Sequence, residues 1–159
     1  MRSRTANWFE CKIRYEKTQE DGLQKKVTEN YTVDALSFTE AEQRIMEEMS
    51  SYISGEFEVI DIKKAPYKEI FFDDSESADR WYKAKVQFIT TDEKTDKEKR
   101  SNVNYLVQAG TLNGAVKNID EVMGGTMIDY AIASVAETTL MDVFEYKKKE
   151  QDEKPEFEQ

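Results

Sequence analysis

The chain has no histidine, a single cysteine, two prolines and six glycines in 159 residues. Without histidine it lacks the usual general base near neutral pH and the commonest transition-metal ligand, so a triad built on imidazole is impossible. One cysteine excludes an intrachain disulfide and leaves a Cys-based zinc site without partners. Cys11 alternates with apolar residues and reads as a buried structural thiol. No run of residues approaches the length needed to span a bilayer, and no apolar core of a signal peptide follows the basic start Met1-Arg2-Ser3-Arg4. These features point to a cytoplasmic location and no membrane partner.

What is present is acid, aromatics and a repeat. The formal net charge of −10 disfavours non-specific affinity for nucleic acid through the whole-molecule field, while leaving room for a local basic patch. Hydrophobic residues make up 38% and aromatics 11%, enough for a packed core.

The stretch from Trp8 to Phe71 occurs again, in character, from Trp81 to Phe144. Trp8-Phe9-Glu10-Cys11-Lys12-Ile13-Arg14-Tyr15 matches Trp81-Tyr82-Lys83-Ala84-Lys85-Val86-Gln87-Phe88. Asn30-Tyr31 matches Asn104-Tyr105. Ala41, Ile45 and Met49 match Ala115, Ile119 and Met123.

Period-two alternation marks strands over residues 8–16 and 26–36, joined through the turn signal Asp21-Gly22. Thr39 with Glu42 three positions on reads as a capping box, and Ala41, Ile45 and Met49 form a helical stripe ending before Gly55. Extended runs follow at 56–64 and, beyond Pro66, at 67–72. The second copy repeats the order: strands at 81–90 and 100–109, a helix capped by Asn113 and stopped at Gly124-Gly125, and strands near 128–136 and 140–146.

The expected fold is α+β: a tandem duplication of a β-β-α-β(β) unit, antiparallel sheet with one helix per copy, and a pseudo-twofold relation. Residues 1–72 form the first copy, 73–80 a linker, 81–146 the second copy and 147–159 a disordered charged tail. A half-length unit buries little core, so the copies are expected to share one.

Several segments of the second copy carry a family resemblance: Trp81-Tyr82-x-Ala84-Lys85-Val86, Asp92-Glu93-Lys94 through Lys97-Glu98-Lys99, Asn104-Tyr105-Leu106-Val107-Gln108-Ala109 and Ile132-Ala133-Ser134-Val135-Ala136-Glu137-Thr138. In these the chain resembles a family of uncharacterised proteins of about this length from gut anaerobic bacteria and their tailed phages, including crAss-like phages. The resemblance implies a phage or mobile-element accessory role and transfers no catalytic residue.

No catalytic, metal or cofactor site is expected. Gly124-Gly125 follows a helix, where a phosphate-cradling loop would precede one. Asp92–Lys99 and the Asp73–Asp79 alternation both lack the turn glycine of a calcium loop. The candidate binding surface is the off-core face of the two hairpins: Trp8, Lys12, Arg14 and Asn30 in the first copy, and Trp81, Lys83, Lys85, Asn104 and Gln108 in the second. This face is basic or neutral-polar in an acidic chain.

The expected function is therefore that of a non-enzymatic binding or adaptor protein acting on a partner protein through sheet edges or this face. The alternatives are single-stranded nucleic-acid binding, with aromatics as stacking platforms, and a small-ligand sponge between the copies. Partner identity and oligomeric state are not legible.

Overall fold

Eleven elements follow one another in a computed structural model that describes residues 1–146: β1 (Arg2–Thr5), β2 (Trp8–Thr18), β3 (Gln24–Asp34), α1 (Phe38–Tyr52), β4 (Phe57–Lys64), β5 (Glu69–Phe72), β6 (Arg80–Thr91), β7 (Glu98–Ala109), α2 (Leu112–Gly124), β8 (Tyr130–Glu137) and β9 (Leu140–Phe144). The charged tail expected at 147–159 lies outside the described residues. The fold is α+β, with two helices and two mixed sheets.

The described residues divide into two compact units, neither contiguous in sequence: residues 1–5 with 66–139, and 6–65 with 140–146. The four-stranded sheet runs β4-β2-β3-β9, and the five-stranded sheet runs β8-β6-β7-β5-β1. β5 thus joins the sheet of the β6–β7 hairpin, and β9 joins the sheet of the β2–β3 hairpin. β5 lies parallel to β7, with Glu69 opposite Tyr105, and β9 lies parallel to β3, with Tyr31 opposite Asp142.

The antiparallel sheet expected from the sequence is corrected by these two parallel pairings. Alternation shows which residues of a strand are buried, but it does not show which neighbour the strand bonds. Short β1, antiparallel to β5, is a further element that carries no apolar alternation.

The two sheets match in detail. β2 pairs β3 and β4 as β6 pairs β7 and β8, and a register shift falls between Lys12 and Ile13 in one and between Lys85 and Val86 in the other. Ala65 N donates to Trp8 O, and Thr138 N to Trp81 O.

In the unit holding α1, Phe9, Cys11, Ile13 and Val33 from the sheet pack with Ala41, Ile45 and Met49 from the helix. The four-residue spacing puts all three helical residues on one stripe. Burying a side chain such as Ile45 contributes about 1.5–3 kcal/mol.

The cap sits two residues earlier than the Thr39 capping box predicts: Ser37 Oγ accepts from Glu40 N at 3.1 Å. Starting there sets the Phe38 ring edge-on to Phe9, with centroids 5.1 Å apart, so packing chose between two adjacent capping sequences. In the other unit Thr111, not Asn113, caps α2, accepting from Gly114 N at 3.0 Å. There Tyr82, Ala84, Val86, Tyr105 and Val107 pack against Ala115, Ile119 and Met123, with Phe71 of the donated strand stacked on Tyr105.

The 73–79 connection is pinned to its sheet. Gln108 Oε1 accepts from Asp73 N, Gln108 Nε2 donates to Ala78 O, and buried Asn118 donates to Asp73 and to Gln108 O. Ser75 holds the Asp73 carboxyl below its usual range through backbone and side-chain hydrogen bonds, helped by Asn118. Gly110 allows the close approach: a Cβ there would lie 2.3 Å from Ser77 O.

Three tyrosines of the α1 unit donate to carboxylates. Tyr15 and Tyr31 both reach Glu29, at 2.8 and 3.2 Å, and Tyr146 reaches Glu48 at 2.7 Å. Burial and then the Glu29 bond push Tyr15 up to about 12, and burial foremost raises Tyr31 and Tyr146 as well. A phenol whose folded pKa exceeds its unfolded value of about 10 stabilises the fold below that pH and loses the contribution as pH climbs toward the folded value. Urea midpoints should therefore hold up to about pH 10 and fall above it. Phenolate absorbance from these three should rise together with loss of circular dichroism. Titration of all eight tyrosines near their ordinary pKa, with the fold intact, would contradict this.

Candidate functional site

The nine residues of the expected binding face separate into three groups. Trp8 and Trp81 are 2% and 4% exposed, each at or next to the start of a long strand, and Trp81 packs edge-on against Phe72. A ring so enclosed offers no face to a base. Gln108 is the clamp on the 73–79 connection. Lys12, Arg14, Lys85 and Asn104 are exposed on the strands, with Asn30 and Lys83 partly so.

Cross-strand neighbours then decide the charge of each face. Arg14 lies opposite Glu58 and pairs with it at 2.9 Å. Lys12 stands between Asn30 on β3 and Asp61 on β4. Lys12 and Arg14 thus face acids on their own sheet, and opposite charges at that spacing attract by about 0.2–1 kcal/mol.

The five-stranded sheet lacks these acids at the matching positions. Lys85, the counterpart of Lys12, stands between Asn104 on β7 and Ser134 on β8. The lysine and the asparagine are kept, whereas the place of the acid holds a hydroxyl. Lys83 likewise has only neutral cross-strand neighbours, Leu106 and Ala136. A concavity of about 140 Å³ opens here, lined by Lys83, Lys85, Asn104 and Ser134 together with Pro66 and Tyr67.

Ser134 also belongs to an edge. β8 ends the order of its sheet, as β4 ends the other. Edge strands present unpaired backbone groups, and proteins commonly protect them with charge. β4 follows that rule with Glu58, Asp61, Lys63 and Lys64. β8 reads Tyr-Ala-Ile-Ala-Ser-Val-Ala from residue 130 to 136, with its first charge at Glu137. Ala133, Ser134 and Ala136 are exposed.

Sequence reasoning gathered Lys85 and Asn104 but passed over Ser134, Pro66 and Tyr67. The substitution of serine for aspartate was readable by extending the repeat alignment from Val59 and Ile132 to Asp61 and Ser134. That alignment could not show that β8 is an edge, which is a property of the assembled sheet.

Elsewhere the chemistry is quiet. Cys11 is 1% exposed, and burial together with nearby Glu10 and Asp61 pushes its thiol up to about 12, far from a reactive thiolate. Among the described residues no group of three or more His, Cys, Asp or Glu could hold a metal ion. No helix among them is long and apolar enough to cross a membrane.

A family model described as a domain of unknown function, DUF4494, matches residues 7–146. No curated protein and no solved structure matches the chain.

Proposed function

The chain belongs to the DUF4494 family, and from that premise we propose that it is a non-enzymatic binding or adaptor protein that takes up an extended segment of a partner protein along β8. The observation that carries the proposal is the contrast between equivalent edges: four charged residues on β4, and none on β8 before Glu137. Strand addition uses the edge backbone for affinity and alternate side chains for selectivity. An edge stripped of protective charge is suited to it.

The matched strand order and matched register shifts support a tandem duplication in which one copy kept a protected edge and the other did not. A phage or mobile-element setting, in the cytoplasm of a bacterial host, is supported by the resemblance of the 81–138 segments. A single-stranded nucleic acid ligand has less support, because Trp8 and Trp81 are buried and Lys12 and Arg14 face acids. A small-molecule sponge has no comparable observation behind it.

The test is selection from a library of random eight-residue peptides, followed by amide shift mapping of the isotope-labelled chain. Selected peptides should shift and protect amides of Tyr130–Ala136 and leave β4 unmoved. Introducing Ala133→Lys and Ala136→Lys together should weaken binding at least tenfold. Failure to enrich any peptide, shifts that map elsewhere, or salt-sensitive oligonucleotide binding in place of peptide binding would refute the proposal.

A further inference from the structure

We propose that the segment added along β8 carries a carboxylate that meets the Lys85 ammonium over Ser134, at the β8 side of the concavity that Asn104, Pro66 and Tyr67 also line. This rests on the strand-addition reading and names the partner's chemistry: an acidic residue within the segment.

The inference comes from comparing the two sheets at one position. On the four-stranded sheet, Lys12 has Asn30 on one side and Asp61 on the other, so its cross-strand carboxylate belongs to the chain. On the five-stranded sheet, the corresponding Lys85 has Asn104 and Ser134. Position 134 lies on the edge strand, so a partner strand placed beside β8 would run next to it. The carboxylate missing there could arrive on that neighbouring strand.

The donors suit such a group. A carboxylate accepts at two oxygens, and Lys85 offers an ammonium and Ser134 a hydroxyl. A concavity of about 140 Å³ has ample room for a carboxyl group and the side chain that carries it. Lys83 lines it too but has an interaction of its own, so the charge invoked is that of Lys85. A single ammonium balances a carboxylate's single charge, whereas a phosphate monoester carries nearly two at neutral pH.

Two sets of probes test this on the full chain, at constant ionic strength. In the first, sodium acetate should give saturating shifts at the Asn104 side-chain amide and the Ser134 backbone amide, which sodium chloride does not reproduce. Lys85→Gln should abolish them, and so should Ser134→Asp, which supplies the acid internally. Acetate shifts that are absent, or that survive both substitutions, overturn the carboxylate site. So does tighter binding of inorganic phosphate than of acetate, which would point to a phosphorylated ligand or nucleic acid.

In the second, capped eight-residue peptides of alternating valine and threonine carry one central aspartate or one asparagine. The aspartate peptide should bind about tenfold more tightly, the worth of one charge-assisted hydrogen bond, and Ser134→Asp should erase the difference. Equal binding of both peptides along β8 overturns the carboxylate while leaving strand addition standing. An aspartate preference without perturbation of the other β8 amides does the reverse. Lys85 and Ser134 are exposed strand residues, so these variants should fold, which unchanged circular dichroism would verify.

Discussion

Cut within the 73–79 connection, neither half of the chain should fold, and mixing the two should restore both sheets. The N-terminal fragment would hold β1 to β5, yet β5 and β1 belong beside β7 in the other half. The C-terminal fragment would hold β6 to β9, with β9 belonging beside β3. Each fragment alone therefore has a sheet lacking its donated strand, plus a strand with no sheet to join.

The deficit is not marginal. Phe71, fully buried, supplies the ring that stacks on Tyr105 at 4.7 Å, and Phe144 stacks on Tyr31 at 5.6 Å. Losing a buried aromatic costs about 3–5 kcal/mol, comparable to the whole stability of many domains. Circular dichroism of each fragment should show little ordered structure, and an equimolar mixture should regain the spectrum of the intact chain. Cooperative unfolding of either fragment by itself would show that the exchanged strands are dispensable.

The second large effect is at the buried ion pair of the α1 unit. Asp34 is fully buried, and its Oδ1 accepts from Tyr146 N at 2.8 Å and lies 3.5 Å from the Arg44 guanidinium. Arg44 also meets Glu40 at 2.8 Å and lies over the Tyr146 ring. Arg44→Met keeps much of the side-chain volume but takes the guanidinium away from the buried Asp34 carboxylate, which should cost about 3–5 kcal/mol.

Arg44→Met combined with Asp34→Asn should recover a good part of that loss, because no unpaired charge then remains buried. Urea unfolding of the three variants is sufficient. A single-mutant loss below about 1 kcal/mol, the range of exposed pairs, would mean that the cluster is not held as its geometry suggests.

These expectations depend to different degrees on what was visible beforehand. The helix stripes Ala41-Ile45-Met49 and Ala115-Ile119-Met123 were legible because helical period is a local property. The hairpins were legible for the same reason, with Asp21-Gly22 marking one turn and Gly22 adopting a left-handed φ of 84°. The caps were harder. Ser37 and Thr39 both satisfy the capping pattern, and the Phe38–Phe9 contact favours the earlier. At the candidate site Lys85 and Asn104 stood out as polar residues on an off-core face. Ser134 has meaning only beside Asp61.

By itself the sequence determined the strands and helices from Trp8 to Phe144 and the inward faces of both helices. All of these depend on residues close together along the chain. The tertiary structure alone decided that β5 joins the sheet of β6 and β7 and β9 the sheet of β2 and β3, that both tryptophans are enclosed, and that β8 is an edge with Lys85 beside it. Those are outcomes of long-range pairing. A strand's alternation records one buried face and one solvated face, and carries no mark of the neighbour that will share its backbone hydrogen bonds.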